Sequence, residues 1–185
     1  MTFFSGLVDE NEHVRLGGYP APFRKLLGLW IEEFAPYSSG QTNHVQTDKA
    51  DQFACNYWSD IIHLEGAEVL AHYVEDYYLG YPAVTRHPFG KGSSYYLGTS
   101  LDQKGLSWLL DRTIEEAGIQ TLENIPDGVE MTCRSNGDHK WIFLLNHSGE
   151  HVQVDLSGEG FDLVTRAFTG SSIQLEPSAV AIIQI

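Results

Sequence analysis

The sequence predicts an α/β unit over residues 1–122, followed by a small antiparallel all-β sandwich over residues 127–185. The first unit combines β-rich segments with one clearly amphipathic helical segment. The second unit is predicted because short alternating strands separated by polar turns are typical of a small sandwich. The polar stretch 123–128, with Pro126 and Gly128, indicates the linker between them.

The elements of the first unit follow from local composition. A short helix is predicted over residues 22–27, with proline at its start and Gly28 after its end. A longer helix begins at Asp102, whose carboxylate can cap backbone N–H groups, and ends at Gly118. Strands are predicted where aromatic and branched residues concentrate, at 29–34, 56–62, 67–74, 82–87 and 93–99. The polar stretch 38–43 is predicted as a loop.

Six strands are predicted in the second unit, at 129–134, 140–147, 151–156, 161–165, 172–175 and 179–185. Turns rich in glycine, serine, asparagine or proline separate them, and one of these turns begins at Ser157. At the other end of the chain, Thr2, Phe3 and Phe4 are interpreted as the end of an apolar strand, where a missing part of the first unit would join.

Size and charge exclude several classes of protein. The 185 residues cannot hold a complete (β/α)8 barrel, which needs about 250 residues. The balance of 11 Lys and Arg against 25 Asp and Glu gives a net charge of −14. Such a field repels phosphate backbones and anionic lipid, so neither nucleic acid nor a membrane is expected as a partner. The start of the chain resembles no leader peptide, and Cys55 and Cys133 form no CxxC pair, which together predict a cytoplasmic protein.

Motifs that would carry chemistry are missing from the sequence. No G-x-S-x-G elbow occurs, and Cys55 lacks the flanking glycines that a cysteine elbow needs, so we interpret it as a buried structural residue. Asp9, Asn11 and His13 superficially suggest a cation loop, but a solvated acidic loop fits the pattern better. We therefore predict no catalytic residue, no metal site and no cofactor.

Four tyrosines crowd into nine residues, at Tyr73, Tyr77, Tyr78 and Tyr81. Tyrosine rings are well suited to stacking on sugars and to filling subunit interfaces, because each combines an apolar body with a polar tip. The competing interpretation is an ordinary β-rich core with aromatic edges. Four such rings are hard to bury together, so this segment is the candidate interface or sugar contact.

Several stretches together resemble the β-galactosidases of glycoside hydrolase family 42. They span nearly the whole chain in the family's order: SGLVDENEHVRLGGYP at 5–20, PFRKLLG at 22–28, EEF at 32–34, WSD at 58–60, GAEVLA at 66–71, GYPAVTR at 80–86, FGKGSSYYLGT at 89–99, GVE at 128–130 and FLLNH at 143–147. The resemblance implies the later part of an amidotransferase-like, flavodoxin-like trimerisation domain, followed by the family's C-terminal β domain. The family's catalytic glutamates belong to a barrel that is absent here, so none is carried over.

The leading hypothesis is a non-catalytic C-terminal portion of a retaining β-galactosidase of carbohydrate metabolism, inactive alone. It would hold subunits together and shape the rim of the active site, as a homo-oligomer or bound to a catalytic barrel chain. One alternative is a stand-alone carbohydrate-binding or protein-interaction module, with a galactoside as candidate contact. Another is a cysteine-dependent amidotransferase-like enzyme.

Overall fold

A computed structural model describes residues 1–119, 124–156 and 158–185. The chain divides into two compact units, Met1–Ile119 and Gln120–Ile185. Residue 122, where the sequence places the end of the first unit, lies outside the described residues, as do the start of the expected linker at 123 and the turn residue Ser157.

The first unit is built on a seven-stranded sheet whose strands all pair antiparallel. Its strands are β1 Leu29–Pro36, β2 Asn43–Thr47, β3 Gln52–Leu64, β4 Glu68–Tyr73, β5 Pro82–Phe89, β6 Gly92–Leu97 and β7 Thr99–Leu101. They run in the order β1-β3-β2-β4-β5-β6, and β7 also pairs with β3. The α/β character expected from sequence is therefore not confirmed, because antiparallel strands dominate this unit.

Two apolar clusters cover the two faces of this sheet. Ile61 belongs to one cluster and its neighbour Ile62 to the other, and both are almost fully buried. Since successive strand residues face opposite sides, β3 must be covered on both faces. The same alternation recurs in β6, where Tyr96 and Leu97 belong to different clusters.

Helices are few in the first unit. A 3-10 turn at Ala21–Phe23 leads into α1 Arg24–Leu27, which ends at Gly28 with φ +63°. The longer helix α2 Gln103–Glu116 begins where the sequence predicts, and the Asp102 carboxylate accepts a 2.8 Å hydrogen bond from the amide of Gly105. Both predicted helices are confirmed.

The second unit packs a five-stranded sheet against a two-stranded one. Its strands are β8 Val129–Asn136, β9 His139–Asn146, β10 Val152–Asp155, β11 Gly160–Asp162, β12 Ala167–Thr169, β13 Ser172–Leu175 and β14 Val180–Gln184. The larger sheet runs β12-β11-β14-β9-β8, the smaller pairs β10 with β13, and all pairs are antiparallel. Ile142, Leu144, Val154 and Ile183 fill the core between them.

The prediction of a strand over 161–165 is wrong for residues 163–165. Strand β11 stops at Asp162, and the buried Asp162 carboxylate then accepts hydrogen bonds from the amide of Val164 at 3.0 Å and the hydroxyl of Thr165 at 2.7 Å. Because those donors bond to a side chain, they turn the chain instead of extending the ladder. Strands β12 and β2 were not predicted from the sequence.

Candidate functional surface

Two of the four candidate tyrosines serve the core. Tyr73 and Tyr78 are 0% and 1% exposed, and their rings meet edge to face at 4.9 Å. The Tyr73 hydroxyl donates to the carbonyl of Gly98 at 3.0 Å, and that of Tyr78 donates to the hydroxyl of Tyr37 at 3.1 Å. These bonds satisfy both buried hydroxyls. The predicted sugar or interface contact is therefore corrected for Tyr73 and Tyr78 and stays open for Tyr77 and Tyr81.

Tyr77 and Tyr81 lie at the surface, in the turn between β4 and β5. Tyr77 is 65% exposed, and its hydroxyl donates a 2.8 Å hydrogen bond to Oε1 of Glu33 on β1. That bond to a carboxylate raises the pKa of Tyr77 to about 12, because it favours the protonated phenol. Tyr81 is 37% exposed, and none of the described hydrogen bonds joins its hydroxyl to a carboxylate.

A row of contacting rings extends from Tyr81 across β3 to β1. Trp30 and His63 are directly paired between β1 and β3, and their rings stack at 4.5 Å with an interplanar angle of 15°. His63 meets Tyr81 edge to face at 5.9 Å, and its Nε2 lies 2.5 Å from Oε2 of Glu32. On the other side, the guanidinium of Arg24 lies 5.7 Å from the centre of the Trp30 ring.

Beside this row lies a shallow cleft of about 390 Å³, lined in part by His63, Leu64, Leu79 and Tyr81. Leu64 and Leu79 are 44% and 63% exposed. We call Trp30, His63, Leu64, Leu79 and Tyr81 the aromatic surface. Charged residues contact this area, since Glu32 bonds to His63 and the Arg24 guanidinium beside Trp30 pairs with Glu65. An apolar area with charged neighbours is typical of a protein contact site.

The contribution of Trp30, His63 and the two leucines was not predicted from the sequence. Trp30 was only one of many aromatics and His63 one of many lone histidines, since the β1–β3 register that stacks them is a long-range contact. The exposed leucines carried a weak signal, because each lies in a turn or at a strand end. Only Tyr81 was found from sequence.

A buried carboxylate lies elsewhere in the first unit. Asp60 on β3 has no exposed surface, and its two oxygens accept 2.7 Å hydrogen bonds from Nε1 of Trp58 and the hydroxyl of Tyr96. Burial raises the pKa of Asp60 to about 6, because desolvation penalises the charged form. Both oxygens are occupied by protein donors, which indicates a structural role.

Cys55 is buried as predicted, and the carboxylate of Asp9 bonds within its own loop. Cys55 is 1% exposed, and burial raises the pKa of its thiol, so the nucleophilic thiolate is disfavoured. In the loop, Oδ1 of Asp9 accepts from the amides of Asn11 and His13 at 2.9 and 3.0 Å. That carboxylate is therefore used to close its own turn.

Within residues 1–119, 124–156 and 158–185, no group of three or more His, Cys, Asp or Glu side chains could hold a metal ion. No helix in the same segments is both long and apolar enough to cross a bilayer.

Comparison with known proteins assigns both units. The family model described as the β-galactosidase trimerisation domain matches residues 1–120, and that described as the β-galactosidase C-terminal domain matches residues 128–184. The β-galactosidase LacZ of Heyndrickxia coagulans is 43% identical over 99% of this chain, and the β-galactosidase BgaB of Geobacillus sp. is 36% identical over 100% of this chain. The crystal structure of a β-galactosidase from Bacillus circulans superposes with a TM-score of 0.89 at 37% identity, over 99% of this chain.

The fold and these matches define the chain as a pair of β-rich accessory domains, distinct from a catalytic domain. It belongs to the β-galactosidases of glycoside hydrolase family 42, and its two units match the non-catalytic trimerisation and C-terminal domains of that family. It spans only 27% and 28% of the length of the two curated relatives, and 28% of the crystallised enzyme. The family resemblance read from the sequence is thus confirmed.

Proposed function

We propose that the chain performs assembly for a β-galactosidase of this family, by joining subunits through its first unit and shaping the rim of the active site. The observation that carries the proposal is the aromatic surface, an exposed apolar area on the unit that matches a trimerisation domain. A complex is stabilised when exposed leucines and stacked rings pack against another surface, because the contact removes apolar area from water.

The partner favoured by this proposal is a second copy of the same chain, and a separate catalytic barrel chain is the other candidate. Light scattering across the micromolar range tests it, with an expected mass above the 20.7 kDa of one chain. A constant mass of one chain at every concentration would count against self-assembly.

The proposal includes the finer domain description. The first unit, placed at 1–122, is proposed to be the later part of an amidotransferase-like, flavodoxin-like domain, and the second is placed at 127–185. Among the described residues, the isolated parallel bridge between Thr2 and Leu97 supports this, because parallel pairing is the hallmark of such α/β sheets. A crystal structure of a complete relative with this chain exchanged into it would test the boundaries.

A galactoside contact at Tyr77 or Tyr81 is the second candidate function. It is supported by the exposure of both rings, since an exposed phenol can pack its face on a sugar ring and bond a hydroxyl. Calorimetry with galactose and lactose at millimolar concentration tests it. Heat that is lost in Tyr77→Ala or Tyr81→Ala would support the contact, and heat that is unchanged in both variants would exclude it.

A further inference from the structure

We propose that the second unit carries a saccharide-binding site of its own, formed where β11, β12 and β14 meet the β8–β9 turn. The site is a shallow cavity of about 520 Å³. Six of its lining residues offer a ring or a polar group to a ligand: Asp138, His139, Glu159, Phe161, Phe168 and Gln184. A volume of this size is within the range of small-ligand sites and accommodates one or two sugar rings.

An aromatic row forms one wall of the site. Phe168 is directly paired with Phe161 between β12 and β11, Phe161 with Gln184 on β14, and Gln184 with Trp141 on β9. Directly paired residues share a face of the sheet, so these four side chains lie on one side, opposite the buried Ile142 and Ile183. The Phe161 and Phe168 rings meet edge to face at 5.2 Å.

The outermost ring is open to solvent. Phe168 is 87% exposed, the highest value of any aromatic side chain among the described residues. Phe161 contacts Phe168 on one side only, so a face of the Phe168 ring remains available to a ligand. The C–H groups on the apolar side of a hexose pack well against an aromatic ring, and this contact removes the ring from water.

Polar side chains line the same cavity as the two phenylalanine rings. Nε2 of Gln184 lies 3.4 Å from Nδ1 of His139, and the His139 ring lies 5.8 Å from that of Trp141. Asp138 and Glu159 add carboxylates from two different turns. Carboxylates accept charge-assisted hydrogen bonds from hydroxyls, and the amide both donates and accepts.

The charges select the ligand class. The cavity wall contains two carboxylates and neither lysine nor arginine, on a chain of net charge −14. Anionic sugars and phosphorylated sugars are therefore repelled, whereas a neutral saccharide offers many hydroxyl donors and no charge. The inferred ligand is a neutral hexose or disaccharide.

NMR titration of the 185-residue chain with galactose, lactose and glucose tests the proposal. We expect saturable shifts of the Phe161, Phe168 and Gln184 amides with a Kd on the order of millimolar. Phe168→Ala should weaken binding about tenfold or more. It is not expected to unfold the protein, because the ring is mostly exposed. Phe89→Ala is the matched control, since Phe89 is 51% exposed in the first unit and should bind unchanged.

Four further outcomes decide the proposal. Galacturonate should bind more weakly than galactose, and Glu159→Gln should reduce that difference. Absence of saturable shifts with every neutral sugar would overturn the site. Binding of a lysine-rich peptide at Phe168, without binding of sugars, would also overturn the proposal, because the cavity would then be a site for cationic peptides. This experiment is independent of the assembly proposal, which concerns the aromatic surface of the first unit.

Discussion

The hydroxyl of Tyr96 donates a 2.7 Å hydrogen bond to Oδ2 of Asp60, a carboxylate with no exposed surface. Trp58 supplies the second donor, and Tyr19 lies 3.5 Å from Tyr96 behind it. Tyr73 is the other titratable group facing this carboxylate, and the described residues place no cation in an ion pair with Asp60. Its negative charge is therefore stabilised by neutral donors alone.

Asp60 should make the stability of the first unit depend on pH. The pKa of Asp60 is raised from 3.8 to about 6, so folding favours its protonated form. This contribution to the free energy of unfolding is fully present below the unfolded-state pKa of 3.8, and it is lost as pH rises through about 6. The shift corresponds to about 3 kcal/mol. Urea unfolding from about pH 4 to about pH 8 should show the wild type losing roughly that much stability relative to Asp60→Asn. Parallel profiles for the two proteins would contradict this assignment.

Gly105 allows α2 to approach the sheet. A Cβ at this position would lie 2.9 Å from the Cβ of Phe53 and 3.1 Å from that of Leu101. These atoms are close to the backbone and cannot move aside, so Gly105→Ala should destabilise by about 1–3 kcal/mol despite the better helix propensity of alanine. Chemical denaturation measures the change. Gly149→Ala, where a Cβ meets no atom within 4 Å, is the control and should be nearly neutral.

Asp102 should stabilise the start of α2. Its Oδ1 accepts from the amide of Gly105 at 2.8 Å, and its Oδ2 accepts from the amide of Ala54 at 3.2 Å. Loss of this cap in Asp102→Ala should cost about 1–2 kcal/mol in thermal or urea unfolding. Asp111→Ala removes an exposed carboxylate from the same helix, and equal losses in both variants would show that the cap is unimportant.

Leu79 should contribute to assembly through the aromatic surface. Leu79→Asp places a charge where an apolar contact is proposed, so self-association should weaken at least about tenfold in light scattering. Leu110→Asp is the matched control, because Leu110 is 58% exposed on α2 and Leu79 is 63% exposed. Wild-type association in Leu79→Asp, or equal weakening in both variants, would place the interface elsewhere.

Local signals predicted the fold where they were strong. Helix α2 was found because Asp102 caps it and its apolar residues recur with helical spacing. Strand β2 was missed because its pattern of Asn43, His44, Val45, Gln46 and Thr47 is mostly polar, and its pairing with β3 and β4 comes from distant parts of the chain. Its buried Asn43 instead uses its side chain to bond the carbonyl of Glu75 at 3.1 Å.

The candidate surface was only partly predictable for a related reason. Tyrosine crowding marked the right turn but could not tell exposed from buried rings, since that depends on which ring meets the Gly98 carbonyl and the Tyr37 hydroxyl. The stack of Trp30 on His63 depends on the register of β1 with β3, which includes a bulge near Glu33. Such a register cannot be read from either strand alone.

The most direct test of the account is the activity of the purified 185-residue chain on a chromogenic galactoside. No catalytic residue is predicted in this chain, so hydrolysis should not exceed that of buffer. Robust turnover that disappears when a single glutamate of this chain is substituted would contradict it, because the chain would then carry the reaction itself.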